Sequence, residues 1–266
     1  MITMKSLISV NNKFMEIPAA ELMSMVSEYA DGVEVYVDYS NNNELNYLDE
    51  LARIASEKQL WLQVHGQIEC DTEEQEQFLD RISRYGFNHI PVTFHPIYRE
   101  DAEESITMTI GYLKEIVRYV KQKCPNLEIL IENLNDWEGR HRLKMREVKR
   151  VIDAVPGLGV TYDIGHVIAD GAMSVEDIIS PVDGCAQKNR NLHVHSCKTA
   201  IIDHQPIYQG DKKWNIATQA LAHFSSVPTV VFEYDVYACR GNSLREQVLD
   251  YLQTFAPIMN EVKRVS

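Results

Sequence analysis

The sequence predicts a closed (βα)8 barrel, on three observations: eight short β-rich runs spread along the whole chain, helical periodicity between them, and no glycine-rich phosphate loop after the first run. The runs are SLISV (6–10), GVEVYVD (32–38), LWLQVHG (60–66), HIPVTFHP (89–96), EILIENL (128–134), LGVTYDIGHV (158–167), NLHVHSCK (191–198) and PTVVFEY (228–234). Runs this far apart cannot pair as hairpins. Joined by helices they must cross over, which makes neighbouring strands parallel. Helical patterns with start signals mark 18–30, 71–86, 100–124 and 243–259. An open doubly wound sheet is the competing layout, and its GxGxxG signature is missing after the first strand. No Gly-, Ser- or Pro-rich linker divides the 266 residues, so 1–266 is read as a single domain.

Composition narrows the function. Hydrophobic residues make up 45% and charged residues 24%, enough apolar matter for a sizeable core. With 26 Lys and Arg against 39 Asp and Glu, the net charge of −13 sets a field that repels nucleic-acid backbones and anionic membranes. No apolar run reaches the roughly 18 residues of a membrane span. The start, MITMKSLISVNNKFME, lacks a basic region followed by an apolar signal core, so a cytoplasmic protein is expected. The five cysteines, Cys70, Cys124, Cys185, Cys197 and Cys239, are odd in number and contain no CxxC, which suggests reduced thiols rather than disulfides or a zinc ribbon. Cys197 is read as a small buried side chain rather than a nucleophile.

A parallel barrel carries its chemistry at the carboxyl ends of its strands. There the sequence places His65, His95, Glu132, Asp163, His193 with His195, and Glu233, on strands three to eight in turn. Side chains alternate along a strand, so Glu132 shares a face with Leu130, Asp163 with Thr161 and Glu233 with Val231, while Ile131, Tyr162 and Phe232 face the helices. A lone Glu or His near a strand end is ordinarily a hydrogen-bonded residue of the surface or core. Coincidence on consecutive strands argues otherwise for Glu132, Asp163, His195 and Glu233. Three carboxylates and an imidazole in a low-dielectric cup need a cation, and this donor set suits Mn²⁺, Mg²⁺, Co²⁺ or Zn²⁺. His193 shares the inward face one layer deeper, where it would orient a ligand. His89, His141 and His223 fall at a strand start or on helices, where solvated or packing roles are expected. Glu34 and Asp38 also alternate inward with Tyr36, and an interior ion pair or a hydrogen bond to the barrel wall explains them as well as catalysis does.

The ordered set ENL at 132–134, DIGH at 163–166, HVHSCK at 193–198 and FEY at 232–234 resembles the xylose isomerase-like TIM barrels. That family includes sugar phosphate isomerases and epimerases, inosose dehydratases, ketose 3-epimerases and endonuclease IV. The resemblance covers essentially the whole chain. It implies one divalent metal ion on Glu132, Asp163, His195 and Glu233, with His166 reaching a substrate hydroxyl. It also implies that Glu132 and Glu233 are the catalytic proton-transfer pair of an isomerase or epimerase acting on a sugar, sugar phosphate or inositol-derived ketose through a metal-stabilised enediolate. A dehydratase begins with the same proton abstraction. His65 and His95 join the substrate-contacting set. Lys198 and Arg240 are cations placed to grip a phosphate or carboxylate, or else surface charges; Trp137 and Trp214 form either an apolar wall against a sugar or a cover for the rim. Barrels of this family often form dimers or tetramers, so a homo-oligomer is an open expectation.

Two alternatives stand beside this. An endonuclease IV-like phosphodiesterase uses three zinc ions, and His65, His95, Glu132, Asp163, His166, His195, Glu233, Asp203 and His204 nearly supply its ligands. Against it, Asp203 and His204 are adjacent where that family separates them by one residue, and adjacent side chains of an extended segment point apart. The connection after strand seven also looks short, and the charge opposes DNA. A non-catalytic sugar- or metal-binding barrel is the other alternative, and it has no need of paired glutamates.

Overall fold

The computed structural model describes residues 4–68, 72–138, 140–199 and 202–265. Cys70 lies outside them. Eight parallel strands close in chain order, with the last paired to the first. In sequence the elements are β1 (Lys5–Val10), α1 (Ala19–Tyr29), β2 (Gly32–Tyr36), α2 (Asn42–Lys58), β3 (Trp61–Gly66), α3 (Thr72–Ser83), β4 (Ile90–Phe94) and α4 (Ala102–Lys123). They continue with β5 (Leu127–Glu132), α5 (Met145–Ala154), β6 (Gly159–Asp163), α6 (Ile164–Ala169), α7 (Val175–Ile179), β7 (Asn189–Val194), α8 (Lys212–His223), β8 (Thr229–Phe232) and α9 (Leu244–Val265). The predicted barrel is therefore the observed one. Its strands are shorter than the apolar runs, so His95, His195 and Glu233 each stand one residue past a strand, where the backbone begins to leave the sheet.

Local chemistry sets the helix starts. Asp101 accepts from the Glu104 N–H at 2.8 Å, which begins α4, and Asn41 accepts from the Asn43 N–H at 3.0 Å, which begins α2. The helices bury apolar stripes against the outside of the sheet. Ile131, Tyr162 and Phe232 belong to that outer core as expected; the Tyr162 hydroxyl donates to the Ile178 carbonyl at 2.5 Å, and Phe232 stacks on Phe255 at 4.8 Å between centroids.

Inside the barrel the chemistry changes. Leu7, Leu130 and Val231 are fully buried yet stand apart from the large apolar cluster between sheet and helices. Beside them runs a polar column. Gln63 donates to Thr229 at 2.7 Å, Thr229 donates to Asn191 at 2.8 Å, and Asn191 approaches Glu34 at 3.3 Å, while Thr93 and Thr161 share a hydrogen bond of 2.7 Å. Pairing keeps these buried polar groups tolerable. Asp38 departs from the expected alternation: β2 ends at Tyr36, and the exposed Asp38 carboxylate accepts from the Ser40 N–H at 3.0 Å instead of facing the axis.

One phenol ties the seam between the first and last strands near the mouth. The β1–β8 ladder ends at Ile8 opposite Phe232, and there the buried Tyr251 hydroxyl of α9 accepts from the Ser9 N–H at 3.1 Å and the Tyr234 N–H at 3.2 Å while donating to the Phe232 carbonyl. Its one donor and two acceptor positions are all used. Glu233 sits between two of these contacts.

Candidate metal centre

The strand-end acids and imidazoles do converge. Glu132, Asp163, His193 and Glu233 each bring one donor atom to within 4.8 Å of all the others, and all four are buried. Glu132 is the hub. Its Oε2 lies 2.9 Å from His65 Nε2 and 3.1 Å from His95 Nε2, and its Oε1 lies 2.9 Å from His193 Nδ1. Burial alone would raise its carboxyl, but the charge on His193 and the three imidazole contacts outweigh that and hold it well below the usual carboxylate range.

His193 takes a larger part than its expected orienting one. Its Nδ1 faces Glu132 and, at 3.1 Å, Glu233 Oε2, and its Nε2 is 2.9 Å from Glu34 Oε1. That last contact is close but out of line for a hydrogen bond. Burial opposes charge on this ring, yet Glu233, Glu34 and Glu132 together hold it protonated well above the ordinary imidazole range. The interior ion pair anticipated for Glu34 is this one.

The DIGH turn explains the placement of Asp163 and His195. Asp163 ends β6 and caps α6, its Oδ1 accepting from the His166 N–H at 2.7 Å. Its Oδ2 is left buried with no hydrogen-bond partner, 3.3 Å from His195 Nε2, which is equally unpartnered. Gly165 is needed because the His195 ring lies against its backbone: a Cβ there would fall 2.3 Å from His195 Cδ2. His195 Nδ1 stands 3.0 Å from the Ser196 carbonyl and 3.1 Å from the His204 N–H. Nδ1 cannot serve both: acceptance from the His204 N–H puts the ring proton on Nε2, whereas donation to the carbonyl leaves Nε2 the bare lone pair that metal ligation selects.

These orphaned donor atoms fit a hard or borderline divalent cation. Glu132, Asp163 and Glu233 would hold it, with a neutral imidazole from His195, which meets Asp163 alone among the three acids, or from His193, whose Nδ1 faces all three and would give up its proton to the incoming ion. Among the described residues three further sets adjoin this one: Glu34, His65, His193 and Glu233; His65, His95 and Glu132; and His166, His195 and His204.

The expectation that Asp203 and His204 point apart is overturned. His204 adopts φ of 53°, so the segment is not extended there; the two side chains meet at 2.8 Å and both line the cavity. The connection after β7 is long rather than short, folding back through Ser196 paired with Gln205 (N–H to carbonyl 2.7 and 2.9 Å) before α8 begins at Lys212. This turn brings His204 Nε2 to 3.5 Å from Glu233 and stacks its ring on His195 at 4.3 Å. Asp203 and Glu233 outweigh the burial of His204 and raise its imidazole well above the ordinary range, whereas burial pushes His166 down to about 4, a neutral ring at physiological pH.

Over the centre opens a cavity of about 430 Å³, within the range of small-molecule sites. His65, His95, His166 and Trp137 line it as expected. Lys198 and Arg240 do not: both side chains are exposed, and Arg240 lies over the Tyr208 ring at 3.8 Å. Trp214 is a buried residue of α8, packed into the outer core, and is also absent from the wall. The Lys and Arg side chains of the wall are Lys13 and Arg142. Lys13 follows β1 closely, so the strand-end rule applied to the first strand finds it. Arg142 comes from the β5–α5 loop and only a contact, its bond back to Asn135, places it.

A family model described as xylose isomerase-like TIM barrel matches residues 26–254. The chain belongs to this family. Among solved structures it resembles a D-tagatose 3-epimerase-like protein (TM-score 0.71, 16% identity, covering 99% of this chain and 100% of that one). It also resembles the IOLI protein, solved with a binding zinc atom (0.69, 14%, 97% and 98%), and 3-keto-D-glucoside 4-epimerase, YcjR, from E. coli (0.67, 14%, 94% and 99%). No curated protein matches the chain in sequence. No helix among the described residues is long and apolar enough to cross a membrane.

Proposed function

We propose that the chain is a divalent-metal-dependent isomerase or epimerase of a sugar or sugar derivative. The observation that carries this reading is the pair Glu132 and Glu233, two buried carboxylates at the ends of β5 and β8 that meet on the same His193 nitrogen at 2.9 and 3.1 Å beneath a cavity of monosaccharide size. A divalent ion held by Glu132, Asp163, Glu233 and a histidine would polarise a substrate carbonyl and stabilise charge on the adjacent oxygen. The protein's own part is proton transfer. One glutamate takes a proton from carbon and the other returns one, to the opposite face for epimerisation or to the neighbouring carbon for isomerisation. Glu233 lines the cavity and Glu132 does not, so Glu233 has the freer path to substrate. Neutral His166, buried on the wall, would donate to or accept from a hydroxyl, and Trp137 would cover the sugar's apolar face. The neighbours named as epimerases agree with this reading in fold.

A second reading, zinc-dependent phosphodiester cleavage at abasic DNA, is favoured by the adjoining imidazole sets and by the inward turn of Asp203 and His204. The net charge of −13 speaks for the first. Elemental mass spectrometry on protein purified without chelator, then dialysed against Mn²⁺ and against Zn²⁺, separates them. About one ion per chain, with ketose turnover lost in both Glu132→Gln and Glu233→Gln, supports the isomerase. Two or three zinc ions with cleavage of abasic DNA support the phosphodiesterase. Absence of any ion under both loadings refutes both.

A further inference from the structure

From the geometry around Arg142, and resting on the sugar reading of the site, we propose that the cavity takes a sugar bearing an oxyanion, a phosphate or a carboxylate, and that Arg142 binds that group. Arg142 and Lys13 are the Lys and Arg side chains on the wall, and Lys13 is already engaged by Asp235 at 2.7 Å. The Arg142 guanidinium touches no carboxylate among the described residues. Its Nε donates to the Asn135 carbonyl at 2.9 Å and its Nη2 to Asn135 Oδ1 at 3.1 Å. Asn135 is fully buried and off the wall, so this one residue clamps the inner edge of the guanidinium from behind.

The clamp leaves Nη1 and the second Nη2 hydrogen, a planar edge that matches two oxygens of a phosphate or carboxylate. Trp137 covers one face of the group, with 5.9 Å from Cζ to the ring. A guanidinium serving only to neutralise the cup would rest on Glu132, Asp163 or Asp203. This one feels all three at longer range while being turned onto a neutral amide, and its burial disfavours its charge. A half-buried charge, oriented and with no ionic partner among the described residues, is poised for an anion brought from outside. The negative field of the chain suits a small anion over a polyanion.

Isothermal titration of the full chain, as purified, with D-fructose, D-fructose 6-phosphate and D-gluconate tests this. At least one anionic sugar is expected to bind about tenfold or more tighter than fructose, the range for hydrogen bonds to charged groups. Which one does so identifies the oxyanion. Arg142→Gln should abolish the preference, and Arg142→Lys, which keeps charge without the fork, should restore part of it, with thermal unfolding confirming that each variant folds. Equal affinity for the three sugars, no measurable binding of either anion, or a preference unchanged in Arg142→Gln overturns the inference. Turnover is scored separately. Ketose isomerisation together with equal affinity for the three sugars leaves the isomerase standing and removes the subsite, whereas Arg142-dependent binding without any turnover does the reverse.

Discussion

Replacing Gly165 by alanine displaces His195 without altering any acid or imidazole. The new Cβ would lie 2.3 Å from Cδ2 and 2.4 Å from Cγ and Nε2 of that ring, where contact between carbons needs about 3.5 Å. Ring and helix start must therefore separate by roughly 1 Å. Neither has room to yield: His195 is fully buried, stacked on His204 and edge-on to His166 at 5.0 Å. Overpacking of this kind costs about 1–3 kcal/mol, or a melting temperature lower by roughly 2–10 °C in a chain of this size. If His195 ligates or orients the metal, affinity should also fall about 10- to 100-fold. Competition against a chromophoric chelator gives the affinity, and thermal unfolding in excess chelator gives the packing cost. A variant with unchanged melting temperature and unchanged affinity refutes the reasoning outright. A lowered melting temperature with wild-type affinity removes His195 from the metal set and leaves His193 as its imidazole.

Three further outcomes are expected. Tyr251→Phe strands the Ser9 and Tyr234 N–H groups and the Phe232 carbonyl, a loss of about 2–5 kcal/mol for buried groups left unmade; urea unfolding that shows a change within about 0.5 kcal/mol contradicts it. Glu128 is raised by its burial but held below the usual carboxylate range overall by His89 at 3.2 Å and Arg190 at 3.0 Å. Because its folded pKa is depressed, the stabilisation is present above the unfolded value near 4.3 and lost as pH falls through the folded one. Glu128→Gln should thus be less stable than wild type at neutral pH, by an amount on the order of 1 kcal/mol or less for so exposed a pair, and the two should converge in acid; a gap that widens on acidification sinks this assignment. Finally, stripping the divalent ion with chelator should lower stability by about 2.7 kcal/mol relative to protein held at a hundredfold excess of metal over Kd, and an unmoved melting temperature would show that no ion binds the folded chain preferentially.

The barrel was legible because its evidence is repeated: each βα unit restates the same alternation, so eight weak signals agree. Glu132, Asp163 and Glu233 were legible for the same reason, being strand-end residues with a fixed inward parity. His193 was harder, since parity places both it and His195 inward and only packing shows which one meets Glu132 and Glu233. Asp203 and His204 were misjudged because alternation presumes extended backbone, and a left-handed residue at 204 breaks it. Arg142 was invisible for a deeper reason: a loop carries no period, and nothing in NLNDWEGRHR indicates that the guanidinium will turn back onto Asn135. Lys198 and Arg240 attracted attention by their nearness in sequence to strand ends, which does not fix where a long side chain goes.

Sheet and helices enclose one interior and the strands enclose another, and the two answer to different demands. The outer annulus asks only for aliphatic and aromatic volume in roughly the right places, a requirement many sequences satisfy. The axial column, with Glu34, Gln63, Asn191 and Thr229 joined beneath the cup, adds little transfer free energy and asks instead for particular donors and acceptors. Folding and chemistry are thereby assigned to separate sets of positions in the same strands, alternate residues of each strand serving one or the other. A lineage can rewrite the axis to change what is bound while the annulus continues to fold the chain, and it can drift through the annulus while the axis is held. That separation accounts for how a barrel sharing only 16% of its residues with another still superposes on it over almost its whole length.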